Sequence, residues 1–575
     1  MRTSRRVLSS AGAVMALGLT PALILGSATP ASGASATGSA VAPGQWGLGP
    51  TATPIKHLVV IFQENETFDH YFGTYPYALN PPGEPRFVPK PGTPRVNGLT
   101  PALLLHNPNA SNPQRLDRSQ ALTCGPSNNY TNEQKAVDDG KMDNFVAGTG
   151  GSTTLAECLA SVGNTAPVTG PQPNYDVMDY FDGNTVTALW NYALNFAMSD
   201  AFYGTGYGQS DVGAINITGA NTYGATCGDG VHVYAPADSS LPQCPQGVGT
   251  ATPGVDQPPG PGTVIGDVDP LYDGCSNNSA GAGDTIGMGG PNIGDLLDGR
   301  HVTWGWFQGG FAPTGTTAAG LPVCGQNVTL QDGTQEQAYS AHHEPFEYYP
   351  QTANPLHLAP TSTFLIGRQD QANHQYDLSA FWQAADAGNL PAVSYLKAAR
   401  SGDAHPGNSD PLDEQQFLVD TINRLEALPT WRSTAVIITY DDSGGWYDHQ
   451  FGPALYGSDT PFDAVSGAGA CNAPGSTVPL TDTGAPEQAR CGLGPRLPFL
   501  LISPWAKSNY VDHAVLDQSS IPAFIEYNWH LPALGNGAAD VNPALGTISQ
   551  MLDFRRGPAA PLFLDPATGE PVTRE

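Results

Sequence analysis

Four side chains with oxygen ligands follow two apolar runs of the sequence. Glu64 and Asn65 come directly after one run, and Asp441 and Asp442 come directly after another. In open α/β sheets, ligands bind beyond the carboxyl ends of the strands. Carboxylate and carboxamide oxygens are ligands for hard divalent cations. The four residues therefore predict a site for one divalent metal ion, with Ca²⁺, Mg²⁺, Mn²⁺ and Zn²⁺ left open as its identity.

The two runs have the composition of buried strands. Ile55–Phe62 is rich in β-branched residues and almost uninterrupted, which is typical of a strand covered on both faces of a parallel sheet, and Thr434–Tyr440 is similar. Neighbouring side chains of a strand point to opposite faces, so the two aspartates can converge only where the strand unwinds. Gly444 and Gly445 permit that. The alternative is that Glu64 and Asn65 only turn the chain out of the sheet.

Strand-like and helical patterns alternate along the chain, which predicts an α/β sandwich with a largely parallel central sheet and long decorating loops. Residues 51–575 show neither a linker nor a repeat, so we expect a single catalytic domain. Residues 222–290 are rich in Gly, Pro and Asp and are expected to form an insertion or cap. The further strand-like runs are Val302–Phe307, Ala392–Leu396 and Leu497–Ile502, and the helical patterns are Val186–Met198, Leu378–Ala387 and Glu414–Ala427.

The N-terminal residues have the pattern of an export signal. Arg5 and Arg6 form a twin-arginine pair, an apolar run covers Ala11–Leu25, and small residues around 31–34 suit a signal peptidase. Residues 1–34 are therefore expected to be a twin-arginine signal peptide, followed by a flexible segment, 35–50. The alternative of a membrane anchor is disfavoured because the run is shorter than the roughly 20 apolar residues of a span. We expect a secreted or envelope protein without a transmembrane segment.

The composition restricts the partners and the redox chemistry. With 52 acidic and 23 basic side chains the formal charge is −29, which excludes nucleic acid as an expected partner and gives no evident attraction to anionic lipid. Eight cysteines in an exported chain indicate disulfides. Cys227 with Cys244 and Cys471 with Cys491 are candidate pairs, but eight cysteines allow about 105 connectivities. A cysteine metal site is not expected, since no C-x-x-C pair occurs.

Residues 64–73, E-N-E-T-F-D-H-Y-F-G, resemble the signature E-N-x-S/T-F-D-x-Y-F-G of a bacterial phosphoesterase family. That family contains secreted phospholipases C and an acid phosphatase, and it belongs to the alkaline-phosphatase-like superfamily. The resemblance implies an alkaline-phosphatase-like α/β sandwich and covers nearly all of the mature chain. Further similar blocks follow in family order: Gly140–Phe145, Gly208–Ser210, Ala341–Pro355, His405–Gln415, Tyr440–His449 and Gly494–Lys507.

The resemblance assigns the nucleophile to Ser210. This serine lies in a glycine-rich loop ahead of a helical stretch, where backbone N–H groups and the positive helix end suit a phosphoryl group. Gln209 stands where the family usually has proline. The alternative from the residues alone is that Ser210 is only a helix N-cap.

Three histidines match pocket residues of the family, namely His342, His343 and His405. The resemblance implies that they bind phosphoryl oxygens or protonate the leaving group. His449 is a weaker candidate. Asn128 stands where relatives often have histidine, and asparagine cannot carry a proton, so the consequence for rate, pH optimum or substrate stays open.

The expected function is that of a metal-dependent phosphoester hydrolase acting through a phosphoserine intermediate, of phospholipase C type. An acid phosphatase is the alternative, favoured by the acidic charge and the lack of an evident membrane-docking helix. A non-catalytic envelope-binding protein is a third possibility. A sulfatase is disfavoured, since no C-x-P-S-R or C-x-A-x-R motif occurs. Five aromatic residues could hold a choline group or belong to the core: Trp304, Trp306, Tyr348, Tyr349 and Trp446. The substrate and the oligomeric state stay open.

Overall fold

A computed structural model describes most of the chain from residue 46 onwards, and residues Pro43–Glu575 belong to one compact unit. The predictions for residues 1–34, and for all but the end of 35–50, lie outside the described residues. The single-domain assignment stays a prediction. The described residues are 46–150, 153–154, 174–175, 177–227, 255–256, 262–276, 285–318, 320–330, 335–458, 460, 462–465, 470–471, 490–535 and 537–572.

A central sheet of eight strands confirms the predicted α/β class. In chain order the strands are β1 (His57–Gln63), β2 (Ala197–Ser199), β3 (Trp304–Gln308), β4 (Gln375–Asp377), β5 (Val393–Lys397), β6 (Thr434–Tyr440), β7 (Phe499–Ile502) and β8 (Tyr510–Asp512). Across the sheet their order is β4-β3-β5-β1-β6-β7-β2-β8. Every strand is parallel to β1 except β7, which is antiparallel to both of its neighbours.

Both faces of the sheet are covered. In β1, Val59 and Ile61 pack in a core cluster that includes side chains of α5, α8 and α9, and the opposite side chains of the strand are buried as well. The ten α-helices of the described residues are α1 (Phe68–Phe72), α2 (Pro101–Leu105), α3 (Tyr130–Val137), α4 (Phe145–Gly148), α5 (Thr187–Asn195), α6 (Ser210–Gly219), α7 (Ile293–Asp298), α8 (Leu378–Asp386), α9 (Pro411–Glu426) and α10 (Ser520–Trp529).

The predicted strands are found as β1, β3, β5, β6 and β7, with ends shifted by up to two residues. The predicted helix Val186–Met198 is wrong at its C-terminal end. The helix stops at Asn195, and Ala197–Ser199 forms β2, which pairs with β7. The apolar pattern of a short buried strand does not differ from that of a buried helix turn, so tertiary pairing decides the structure there.

Described strands within residues 222–290 form a separate sheet of five strands, and the assignment of this region as an insertion or cap stays a prediction. Val264, Ile286 and Met288 of this sheet pack against Val212 and Ile215 of α6. This five-stranded sheet therefore packs against the helix that begins at Ser210. Its strands are Tyr223–Cys227, Val255–Asp256, Gly262–Val264, Asp269–Pro270 and Thr285–Met288.

Two disulfides join described cysteines, Cys471 with Cys491 and Cys275 with Cys324. The first is one of the two candidate pairs from the sequence, and the second was not predicted. Cys244 lies outside the described residues, so the other candidate pair stays a prediction. Among the helices that the structure describes, none has both the length and the apolar character needed to cross a bilayer.

Candidate active site

The ends of β1 and β6 bring the two predicted ligand pairs together. The strands pair in parallel with Gln63 opposite Tyr440, so the next residues of both strands leave the sheet side by side. The Asn65 N–H donates to Asp441 Oδ1 over 2.8 Å. Asn65 has a left-handed backbone with φ 59°. A Cβ on Gly444 would lie 2.4 Å from the Asn65 carbonyl oxygen, which explains the glycine after the aspartate pair.

Ser210 lies between a carboxylate of each pair. Its hydroxyl is 3.0 Å from Asp442 Oδ2 and 3.3 Å from Glu64 Oε2, and the side chain is buried. Gln209, and not Ser210, occupies the N-cap position of α6, so the N-cap alternative for the serine is not supported. A Cβ on Gly213 would lie 2.0 Å from the Asp441 carbonyl oxygen. That glycine allows α6 to approach the end of β6.

Glu64 is completely buried, and its carboxylate contacts the ammonium group of Lys397 and the imidazole of His343. Lys397 at the end of β5 forms an ion pair with its carboxylate, and His343 Nδ1 lies 2.9 Å from Oε1. Burial raises the pKa of Glu64, but His343 and Lys397 lower it more, so its pKa is well below the usual value. Asp403 completes a group with Glu64 and His343 whose ligand atoms lie within 4.8 Å of one another.

The pKa values of Asp441 and Asp442 are shifted upward, in contrast to the lowered pKa of Glu64. Burial, with the neighbouring Glu64 and Asp442 carboxylates, raises the pKa of Asp441 well above its usual value. Burial also raises the pKa of Asp442 to about 7, against hydrogen bonds from Asn128 and the Gly444 N–H that lower it. Asn128 Nδ2 lies 3.0 Å from both carboxylate oxygens of Asp442. The excess of buried negative charge is what a bound cation would compensate.

The residues present fit an oxygen-ligated divalent cation. Asn65 Oδ1 and Asp441 Oδ2 are buried acceptors without a hydrogen-bond partner. Buried polar atoms are normally paired, so two such acceptors beside two further carboxylates point to a shared ligand. Glu64, Asn65, Asp441 and Asp442 would hold the ion, and His343 and Asp403 are additional donors close to Glu64.

The three predicted histidines have different surroundings. His342 Nδ1 lies 3.7 Å from Asp269 Oδ1. Burial lowers the pKa of His342, but Asp267 and Asp269 raise it above the usual value. Burial is the dominant effect at His343 and makes its pKa well below the usual value. The His405 N–H donates to Asp403 Oδ1 over 3.0 Å, so this residue is connected to the site through Asp403.

His449 and the five aromatic residues considered for choline binding contribute to the structure of the protein. His449 Nδ1 is 2.5 Å from Asp69 Oδ2, and Asp69 also pairs with the buried Arg496, which anchors the loop after Asp442. The aromatic residues Trp304, Trp306, Tyr348, Tyr349 and Trp446 are at most 1% exposed. They belong to the core, as the second interpretation of the sequence held.

Three charged residues of this region were not predicted from the sequence. Lys397 directly follows the predicted strand Ala392–Leu396, so the strand-end rule that identified Glu64 could have found it. Asp403 lies in the loop before His405 and offered no separate signal. Asp267 lies within residues 222–290, and its Oδ2 accepts a hydrogen bond of 3.1 Å from Gln209. Only the folded structure shows that this region reaches the loop before Ser210.

Comparison with known proteins gives a consistent assignment. The sequence profile described as Phosphoesterase family matches residues 55–532. Three similar curated proteins are the non-hemolytic phospholipase C of Pseudomonas aeruginosa (30% identical, 26% of this chain and 22% of the relative), the non-hemolytic phospholipase C of Burkholderia pseudomallei (25%, 83% and 55%) and the non-specific phospholipase C6 of Arabidopsis thaliana (30%, 28% and 30%). The alignments thus span at most 55% of these relatives' own lengths.

Proposed function

This chain belongs to the phosphoesterase family, and we propose that it is an exported, metal-dependent phosphoester hydrolase of phospholipase C type with a phosphoserine intermediate. The observation that carries the proposal is the position of the Ser210 hydroxyl between Glu64 Oε2 and Asp442 Oδ2. A hydroxyl beside two carboxylates that fit a cation has the surroundings of an activated nucleophile. The similarity to three proteins named phospholipase C supports the substrate class.

When bound, a divalent cation would supply the positive charge that lowers the pKa of a neighbouring hydroxyl and stabilises charge on the phosphoryl group. Ser210 Oγ attacks phosphorus, and its proton passes to Asp442 Oδ2, which already accepts its hydrogen bond. The N–H groups and the positive end of the helix dipole at the start of α6 are suited to bind the phosphoryl oxygens. The bond from phosphorus to the alcohol oxygen breaks in line. Water then attacks phosphorus and gives a proton to the histidine that protonated the alcohol, while the bond to Ser210 Oγ breaks and Oγ takes its proton back from Asp442.

The leaving alcohol requires a proton, and His342 is the histidine suited to give it. Burial lowers its pKa, but Asp267 and Asp269 raise it above the usual value, which favours the protonated imidazole, whereas burial makes the pKa of His343 well below the usual value. Asp269 lies on the Nδ1 side of His342, which leaves Nε2 to donate. His343 and Lys397 hold Glu64 in its charged form, and Asn128 orients Asp442.

An acid phosphatase is the second candidate, because the formal charge of −29 opposes approach to anionic lipid at long range. A non-catalytic envelope protein is disfavoured, since the ligand pairs and Ser210 converge.

Export by the twin-arginine route is proposed from Arg5 and Arg6. Replacing both by lysine, which keeps the charge but not the pair, should leave the protein unexported.

Hydrolysis of phosphatidylcholine and of a chromogenic phosphomonoester by the purified mature protein, each with and without chelator, tests the proposal. Release of diacylglycerol that is lost on chelation is the expected result. Cleavage of the monoester alone would make the protein a phosphatase. Absence of hydrolysis of both esters, with metal still bound, would contradict the assigned chemistry, and absence of metal binding would favour the non-catalytic alternative.

A further inference from the structure

An exposed surface that combines apolar and cationic side chains lies in residues 74–118. Four of the eleven large apolar side chains that are exposed among the described residues belong to this segment. They are Tyr77 (58% exposed), Leu79 (68%), Val88 (64%) and Leu105 (64%). Single exposed apolar residues need no explanation, but several on one segment mark an interaction site.

The helix α2 is the most unusual part of this segment. Its sequence, P-A-L-L-L, is entirely apolar, yet none of its residues is buried. Beside it lies a groove of about 640 Å³ whose lining includes Tyr77, Leu79, Arg95 and Leu104. We call Tyr77, Leu79, Arg95 and the residues of α2 the α2 face. Leu103 and Leu104 are partly buried and pack against the core, whereas Pro101, Ala102 and Leu105 are exposed, so the helix presents a second, apolar side to solvent.

The charge of the segment is opposite to that of the whole protein. Residues 74–118 contain five Lys and Arg and two Asp and Glu, whereas the chain has a formal charge of −29. Arg115 is neutralised by Glu84 and Asp182. Arg95 instead donates to the Tyr77 hydroxyl over 3.1 Å and lies over the Tyr77 ring, and no ion pair of Arg95 occurs within the described ranges. Its charge is therefore available to an anionic partner.

We propose that the α2 face docks on the surface of an anionic phospholipid bilayer. Exposed leucines enter the boundary between headgroups and acyl chains, and Arg95 binds a lipid phosphate at the same depth. The remaining negative charge of the protein opposes this only weakly, because at physiological salt charges beyond about 8 Å are largely screened. The net charge of the whole protein predicts no attraction to anionic lipid, but this prediction does not hold for the α2 face.

The α2 face is joined to the loop that carries the candidate metal ligands. The Asn97 carbonyl, two residues after Arg95, accepts a hydrogen bond of 2.7 Å from Arg496, and Arg496 pairs with Asp448 of the loop after Asp442. Asn107, just after α2, donates to the hydroxyl of Tyr447 in the same loop. Docking through this face would keep the loop close to the lipid surface. Binding itself does not depend on the proposed hydrolysis, so the two can fail separately.

Flotation with lipid vesicles tests the proposal, using the full mature protein and chelator so that lipid is not consumed. We expect at least roughly tenfold stronger partition into phosphatidylglycerol–phosphatidylcholine vesicles than into phosphatidylcholine alone. Leu105→Glu and Leu79→Glu should each lower partition on the order of tenfold, because each removes an exposed leucine that docking would bury in the bilayer and adds a repelled charge. Arg95→Gln should lower it about fivefold, and only for anionic vesicles.

Matched controls separate docking from general surface effects. Val541→Glu changes a side chain that is 60% exposed outside the α2 face, and Arg555→Gln removes an exposed cation elsewhere. Both should bind like the wild type, and all variants should share its unfolding temperature. Equal partition into both vesicle types, absence of binding, or equal loss in the controls would overturn the proposal.

Discussion

Lys397 and Glu64 form an ion pair between the ends of the neighbouring strands β5 and β1, and both side chains are completely buried. The pair lies where Asp441, Asp442 and Asp403 add further buried carboxylates. Burial lowers the pKa of Lys397, but Glu64 and Asp441 raise it above its usual value. Among these carboxylates, the lysine is therefore a fixed positive charge that the fold itself supplies.

Lys397→Met should destabilise the chelated protein strongly. Removing one partner of a buried ion pair leaves an uncompensated charge and typically costs about 3–5 kcal/mol. Urea unfolding measures the loss, and added divalent metal should recover part of it by compensating the same carboxylates. Lys141→Met removes the lysine of a solvent-exposed pair with Asp138 and serves as control. Equal losses in the two variants, or no recovery with metal, would contradict this role.

Asn65→Gly should weaken metal binding while leaving the metal-free fold nearly unchanged. Glycine adopts the φ of 59° without strain, so the substitution removes only the side chain and its unpaired oxygen. We expect metal affinity to fall roughly tenfold or more, as measured by calorimetric titration. Asn509→Gly is the matched control, since Asn509 also has a positive φ and a buried unpaired Oδ1, next to edge strand β8. Similar effects at both positions would exclude Asn65 as a ligand.

Ser210→Ala should abolish turnover and leave the fold intact. Loss of a nucleophile typically lowers kcat by about 10⁴-fold or more, and the small buried side chain tolerates alanine. The control is Ser503→Ala, whose hydroxyl donates to the Thr434 carbonyl at the opposite end of β6. That variant should lose about 1 kcal/mol of stability and keep its activity. Substantial residual activity of Ser210→Ala would exclude Ser210 as the nucleophile.

The sequence predicted the strand ends well because buried parallel strands have continuous apolar runs. β1 and β6 were placed within two residues, and the polar residues after them proved to be neighbours. Contacts between distant segments have no local pattern. The Asp267 contact with Gln209 and the disulfide of Cys275 with Cys324 both join residues 222–290 to other segments. Helix α2 was likewise not distinguished, since only the folded surface shows that Leu105 is exposed while Leu103 and Leu104 pack against the core.

Glu414 should make the stability of the metal-free protein decrease as pH rises. Burial raises the pKa of Glu414 to about 8, against hydrogen bonds from Tyr440 and Gln63 that lower it. The folded state therefore keeps a proton that the unfolded chain releases above its usual pKa. The resulting stability is complete below about pH 4.3 and is lost as pH rises through about 8.

Glu414→Gln keeps the shape and stays neutral, so it should match the wild type at pH 4 and exceed its free energy of unfolding by roughly 2–4 kcal/mol at pH 8.5. Urea unfolding of the chelated proteins across this range measures the difference. Glu570→Gln at the surface is the control and should show no such trend. A constant difference between Glu414→Gln and the wild type at all pH values would show that Glu414 does not titrate in this range.

His342→Gln should impair hydrolysis only when the leaving alcohol needs a proton. Burial lowers the pKa of His342, but Asp267 and Asp269 raise it above its usual value, which favours the protonated imidazole, whereas burial makes the pKa of His343 well below its usual value. With an alkyl alcohol as leaving group the variant should lose roughly 10²–10⁴-fold in kcat, and with an acidic phenol it should lose far less, because a phenolate leaves without protonation. Parallel assays of the two esters by the same enzyme preparation measure the ratio of the two losses in kcat.

His106→Gln, at an exposed histidine after α2, should leave both rates unchanged. An equal loss on both esters would mean that His342 positions the phosphoryl group and that another residue, such as His405, donates the proton.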